Sequence, residues 1–212
     1  MNRLSRSFLA TLLTSSLALG VVSVVTPTRA DAAAAPASGA STYLKSEHEK
    51  VTTLLKSKDA DKDKKVDAEL ANLIDYDQMA KDALGDQWNA PERTDAQRAE
   101  FKDLLRQLIQ KNYKKRLNQT LDYDVTYKGE DPGKDGAIVV HTEAQNVNDK
   151  REAPTQIDYV LKKDASGKYI VTDLVPEGSS MIHTYNKEFK KVIKDKGWDE
   201  MIKKMKDKLA KP

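Results

Sequence analysis

The sequence predicts an α+β domain, and three observations carry that prediction. Apolar residues recur at helical spacing from Leu44 to Leu117, alternate with polar ones from Leu121 to Val175, and return to helical spacing from Ile182 to Leu209. The alternating runs number four and are joined by short or hairpin connections, so they form an antiparallel sheet, one face of which the flanking helices can cover. The chain has 212 residues, which makes one domain the default.

In the first helical block, Leu44, His48, Val51, Leu54 and Leu55 share one face, with His48 read as a solvated residue at its margin. As a metal ligand His48 lacks a partner at i+3 or i+4. The run Lys56 to Lys65 contains Asp59, Asp61 and Asp63 at calcium-loop spacing. The sixth position is Lys64 rather than Gly and the twelfth is Leu70 rather than Glu, so a solvated connection between helices is the better account. Leu70, Leu73, Ile74, Tyr76, Met79, Ala80, Ala83 and Leu84 describe two short helices meeting at an Asp75 cap, closed by Gly85 with Trp88 packing back. Thr94 and Gln97 form a capping box that opens the clearest helix, striped by Phe101, Leu104, Leu105, Leu108, Ile109, Tyr113 and Leu117.

The period then changes to two. Leu121, Tyr123, Val125 and Tyr127 alternate with polar residues. Ala137 to Glu143 and Ile157, Tyr159 and Leu161 give two more strands, and Asp164 to Gly167 is a hairpin turn. The fourth strand, Tyr169 to Val175, is the organising stretch. It is apolar enough on both faces to sit centrally and runs through Pro176, Glu177 and Gly178 into a helix that Ser179 or Ser180 can cap. That helix carries Ile182, Tyr185, Phe189, Val192 and Ile193 on one side. Gly197 stops it, and Trp198, Met201, Ile202, Met205 and Leu209 stripe the last helix.

Charge and composition exclude several classes of function. There are 36 basic and 33 acidic side chains, but Arg3, Arg6, Arg29 and Asp31 fall in the first 32 residues; the remaining 33 and 32 nearly cancel, so no nucleic-acid partner is indicated. The chain contains no cysteine, which excludes disulfides, thiol catalysis and thiolate metal sites. Residues 1–32 have the form of a cleaved export signal: basic Arg3 and Arg6, an apolar stretch from Phe8 to Val25, and Ala30-Asp31-Ala32 for cleavage. The competing reading is a membrane anchor, which the hydroxyls of Thr11, Thr14, Ser15, Ser16 and Ser23 dilute. Residues 33–41 read as a disordered linker and 42–209 as the folded domain. From Lys187 to Lys211 ten lysines face five acids, which describes a solvated face or a docking patch.

The ordered set of Ile74-Asp75, Met79-Ala80, Leu84-Gly85 with Trp88, Phe101, Tyr113, Tyr169, Val171 and Asp173, and Glu177-Gly178 with Ser180-Met181-Ile182, Tyr185 and Phe189 resembles the MlaC family. These are the toluene-tolerance, ABC-transporter auxiliary proteins of Gram-negative bacteria. The resemblance covers roughly residues 42–209. It implies a cystatin-like or nuclear-transport-factor-like fold enclosing an apolar pocket, with Asp173, Gly178, Ser180 and Tyr185 as its motif positions. It also implies a periplasmic phospholipid carrier working between an outer-membrane lipoprotein complex and an inner-membrane ABC transporter with a lipid-binding ring domain. The sequence departs from the family at Asn186, where Arg is frequent, and at Ser179, where an aliphatic residue is.

A carrier of this kind needs no cofactor, metal or catalytic residue; phospholipid is its cargo. Each acyl methylene hidden from water is worth roughly 0.8 kcal/mol, so a chain of about sixteen carbons puts on the order of 12 kcal/mol at stake and demands a deep apolar slot. The candidate walls are Leu105, Leu108, Ile109 and Tyr113 from the long helix. The sheet would add Tyr123, Val125, Ile157, Tyr159 and Val171, and the helix after the corner Ile182 and Phe189. Ordinary core packing has the same pattern at each of these positions. Two other functions compete with the carrier. One is a small-molecule isomerase or dehydratase on the same cone-shaped fold with Asp173 as base, against which stands an Asp that only accepts local hydrogen bonds. The other is a protein-binding adaptor that uses the lysine-rich end.

Overall fold

The computed structural model describes residues 39–119 and 121–211, and the side chains of 116–119 are outside that description. The expected export signal and residues 33–38 of the expected linker lie outside the described residues, as does the side chain of Leu117. The elements are α1 (Ala40–Lys56), α2 (Lys62–Leu73), α3 (Tyr76–Leu84), α4 (Asp95–Gln119), β1 (Tyr123–Pro132), β2 (Ile138–Asn146), β3 (Thr155–Lys163), β4 (Tyr169–Pro176), α5 (Met181–Lys196) and α6 (Trp198–Ala210). This is the α+β order expected from the three changes of period.

The capping chemistry forms as the sequence specifies. The Asp75 carboxylate accepts the Gln78 N–H at 2.9 Å and starts α3. The Gln97 amide oxygen accepts the Thr94 N–H at 3.0 Å and the Thr94 hydroxyl accepts the Gln97 N–H at 3.2 Å, so both halves of the box that opens α4 are closed. Ser180 caps α5 by accepting the His183 N–H at 3.0 Å.

The sheet is antiparallel with strand order β1-β2-β3-β4. The organising strand is therefore at an edge and not at the centre. Two features account for the difference. The free edge of β4 is covered locally, because the Asp75 N–H donates to the Val171 carbonyl at 2.9 Å and Ile74 pairs with Val171 in parallel. A bulge between Val160 and Leu161 also breaks the alternation of β4. Val171 pairs with Leu161 and Leu174 with Tyr159, so both stand on the helix-facing side although they are three residues apart.

Ile138, Val140 and Thr142 of β2 share that side with Leu161, Tyr159 and Ile157 of β3. Against it and behind it, the helices build one core in which Leu44, Val66, Leu70, Met79, Phe101, Leu105, Ile109 and Met205 are all fully buried. Phe101 anchors the inter-helix part, edge-on to Phe189 at 5.3 Å and tilted against Trp198 at 6.0 Å.

Candidate functional site

The space where helices meet sheet is the candidate site, and a polar cluster occupies its α1 side. His48 points inward from α1. Its Nδ1 lies 2.7 Å from the Tyr127 hydroxyl of β1 and its Nε2 lies 3.2 Å from the Tyr113 hydroxyl of α4. The Tyr159 ring of β3 stands edge-on to it at 4.9 Å. Four elements thus converge on one imidazole, and the reading of His48 as solvated is corrected. Position 48 is one turn from Leu44 and three residues from Val51, so it lies on the buried stripe rather than at its margin. Tyr127, outside the candidate walls, is brought in by the alternation it shares with Tyr123 and Val125.

Burial sets the electrostatics here. Desolvation lowers the His48 pKa to about 4, so the ring is neutral at pH 7, donating through one nitrogen and accepting through the other. The Tyr113 phenol is held well above its ordinary value, first by burial and then by the neighbouring Tyr159, and Tyr127 is raised for the same reasons in the same order. Beyond the cluster, Tyr43 tilts against Tyr169 at 5.9 Å, and burial followed by the Glu47 charge pushes its phenol up to about 12.

The candidate walls fall into three groups. Leu105, Leu108, Ile109 and Tyr113 of α4 are buried together with Tyr159 and Val171 of the sheet in one core cluster, with Ile157 packed half-buried against it. Ile182 and Phe189 are buried too, and Phe189 stacks on Tyr185 at 5.6 Å in the inter-helix aromatic group. Tyr123 is half-buried, its hydroxyl donating to Glu152 at 2.9 Å, and Val125 is 42% exposed. Both belong to β1, an edge strand that α1 meets at Tyr127 and Glu130.

The motif positions have structural work. The Asp173 carboxylate accepts the Ser180 hydroxyl at 2.5 Å, the Leu174 N–H at 2.8 Å and the Ile182 N–H at 3.1 Å, tying β4 to the start of α5. At the intervening corner, Glu177 has φ 49° and Gly178 φ 73°; Glu177 is stapled to β3 by exchanging hydrogen bonds with the Gln156 backbone. Asn186 donates to the carbonyls of Asp82 and Ala83, both at 3.2 Å, and so closes the end of α3.

Where the sequence asks for a deep slot, the wall residues of α4 and of β3 and β4 are packed into the core cluster. An open cleft of about 570 Å³ lies at the sheet's end, with Ile138, Leu161 and Tyr169 beside Lys162 and Lys163. On the outer face, His141 bridges Asp158 at 2.9 Å and Asp131 at 3.1 Å. Burial alone would lower its pKa, but the hydrogen bonds to Asp158 and then Asp131 outweigh it and raise the value. Among the described residues no cluster of ligating side chains could hold a metal, and no helix is long and apolar enough to cross a membrane.

Comparisons with known proteins follow the same geometry. The family model described as MlaC protein matches residues 44–207. The solved phospholipid-binding protein from Ralstonia solanacearum, in complex with a phospholipid, superimposes with a TM-score of 0.67 at 21% identity, covering 80% of this chain and 96% of that one. Among curated proteins none matches.

Proposed function

The chain belongs to the MlaC family, and on that premise we propose that it is a non-catalytic phospholipid carrier that holds acyl chains between its helices and its sheet. The observation that carries this reading is the family match itself, which runs from α1 into α6. The fold supports it, because the Ralstonia solanacearum protein with the same architecture holds a phospholipid. Asp173 does not support an enzyme that uses it as base, because three local donors occupy its carboxylate.

The same proposal extends to the cell. Residues 1–32 would direct export and be removed and the segment after them would link; the expected linker end at 41 is corrected, since Ala40 and Ser41 already belong to α1 and Ala40 is buried, so the folded domain that would carry lipid through the periplasm starts at Ala40. The partners would be an outer-membrane lipoprotein complex on one side and an inner-membrane ABC transporter with a lipid-binding ring domain on the other.

Loading would part the layers on the α1 side, where side chains of four elements meet. The His48 cluster is the natural seam. Its hydrogen bonds are worth roughly 0.5–1.5 kcal/mol each, less than exposing the buried aliphatic side chains of α4 at roughly 1.5–3 kcal/mol each. Transfer of labelled phospholipid between two vesicle populations tests the carrier. The expected result is transfer that rises with protein concentration and returns the lipid chemically intact. Lipid recovered hydrolysed or rearranged would favour an enzyme, and a folded protein that moves no lipid would overturn the carrier.

A further inference from the structure

We propose that the outward face of α5 is a docking surface for an anionic lipid bilayer. Taking about 100° per residue, His183, Lys187, Lys190, Lys191 and Lys194 fall within an arc of roughly 100° on the side of the helix away from Ile182 and Phe189. All five are exposed, and no acid interrupts the arc. The two acids of α5, Glu188 and Asp195, lie on its flank, where Glu188 is drawn to Lys208 of α6 at 3.1 Å. Lys190 touches Asp86 only at 3.9 Å. Lys187, Lys191 and Lys194 make no ion pair among the described residues. Their positions span roughly 10 Å along the helix axis.

The neighbouring helix α6 carries four lysines against the five of α5 and does not form such a face. On α6, Lys203 and Lys204 are interspersed with Asp199, Glu200 and Asp207, so their charges are locally offset. The excess of lysine at this end of the chain is therefore concentrated on one side of one helix.

The chemistry of that face selects the partner. A protein interface draws its affinity from aromatic or aliphatic anchors at a dry centre, and none of the five positions supplies one. Phosphate-bearing headgroups require only a row of mobile cations, each lysine near an anionic surface strengthening binding about fivefold. The inference goes beyond lipid carriage, because the face would bind a bilayer whether or not the interlayer accepts a lipid.

The test is flotation of the purified protein with vesicles of equal parts phosphatidylglycerol and phosphatidylcholine, beside vesicles of phosphatidylcholine alone. Binding is expected to the anionic vesicles only and to vanish near 1 M salt, where the Debye length falls to about 3 Å. Neutralising the row with Lys187→Gln, Lys191→Gln and Lys194→Gln, all at exposed positions, should weaken binding about a hundredfold. The pair Lys203→Gln and Lys204→Gln should change it only a few-fold. Equal binding to both vesicle types, an equal loss in the α6 pair, or a row variant that binds like the parent would each overturn the proposal. So would a protein that ignores vesicles and is retained instead by an acidic protein partner.

Discussion

Asp173 shows how much one carboxylate can organise. By accepting from Ser180, Leu174 and Ile182 it fixes the angle at which α5 leaves the sheet. Asp173→Ala removes the two carboxylate oxygens that accept three hydrogen bonds and leaves the Ser180 hydroxyl without its acceptor. At roughly 1–3 kcal/mol for losing a charge-assisted bond in a part-buried site, urea unfolding should show a loss of about 3 kcal/mol, and Asp173→Asn a smaller one. His48 makes a second residue-scale prediction with a definite sign. Its folded pKa of about 4 lies below the unfolded value near 6.5, so protonation favours the unfolded chain. Its contribution is complete above pH ~6.5 and is lost as pH falls toward ~4, by about 3 kcal/mol in all. Stability measured against pH should bend in that window, and His48→Phe should flatten the bend. His141 goes the other way: its folded pKa is raised, so what it adds is present below pH ~6.5 and fades as pH rises through the folded value. An NMR titration should separate the two rings cleanly.

At the scale of elements, α3 and α5 meet closely at Gly85 and Asn186. Gly85 has φ 54°, and a Cβ built there would stand 2.8 Å from Asn186 Nδ2. Gly85→Ala should cost about 2–4 kcal/mol through backbone strain and the displaced Asn186 cap. In the double variant with Asn186→Ala the two losses should add to less than their sum, which a thermal melt of all three proteins would measure. This joint also shows where the sequence is readable. Gly85 as a helix stop, Asp75 as a start and the Thr94 box are local chemistry, and each is legible because its partner lies within a few residues. The edge position of β4 is not, because it depends on a bulge opposite Thr172 and on Ile74 nearly a hundred residues upstream closing the open side. His48 was half legible: its spacing places it on the stripe, but its two hydroxyl partners come from β1 and α4, whose arrangement the periodicity does not contain. Val125 alternates as a wall residue would, yet pattern alone does not say how far along β1 the helices reach.

For the whole molecule, the tension lies between a well-packed interior and a cargo that needs room. Leu105 and Ile109 are each 1% exposed and Tyr159 is 6% exposed, so these wall positions are shielded from solvent. The proposed carrier would take its cargo between those shielded positions. Hiding an acyl chain from water is worth on the order of 12 kcal/mol, so a chain leaving a bilayer is carried without a large penalty only if the protein encloses most of it. A charge placed in that interior, as in Leu108→Asp, should lower lipid occupancy several-fold, read beside circular dichroism to confirm that the variant still folds. The most direct test is organic extraction of the purified protein followed by mass spectrometry, repeated after incubation with phospholipid vesicles. Carriage predicts intact phospholipid in stoichiometric amount with the protein; a folded protein that yields no lipid before or after incubation would contradict it.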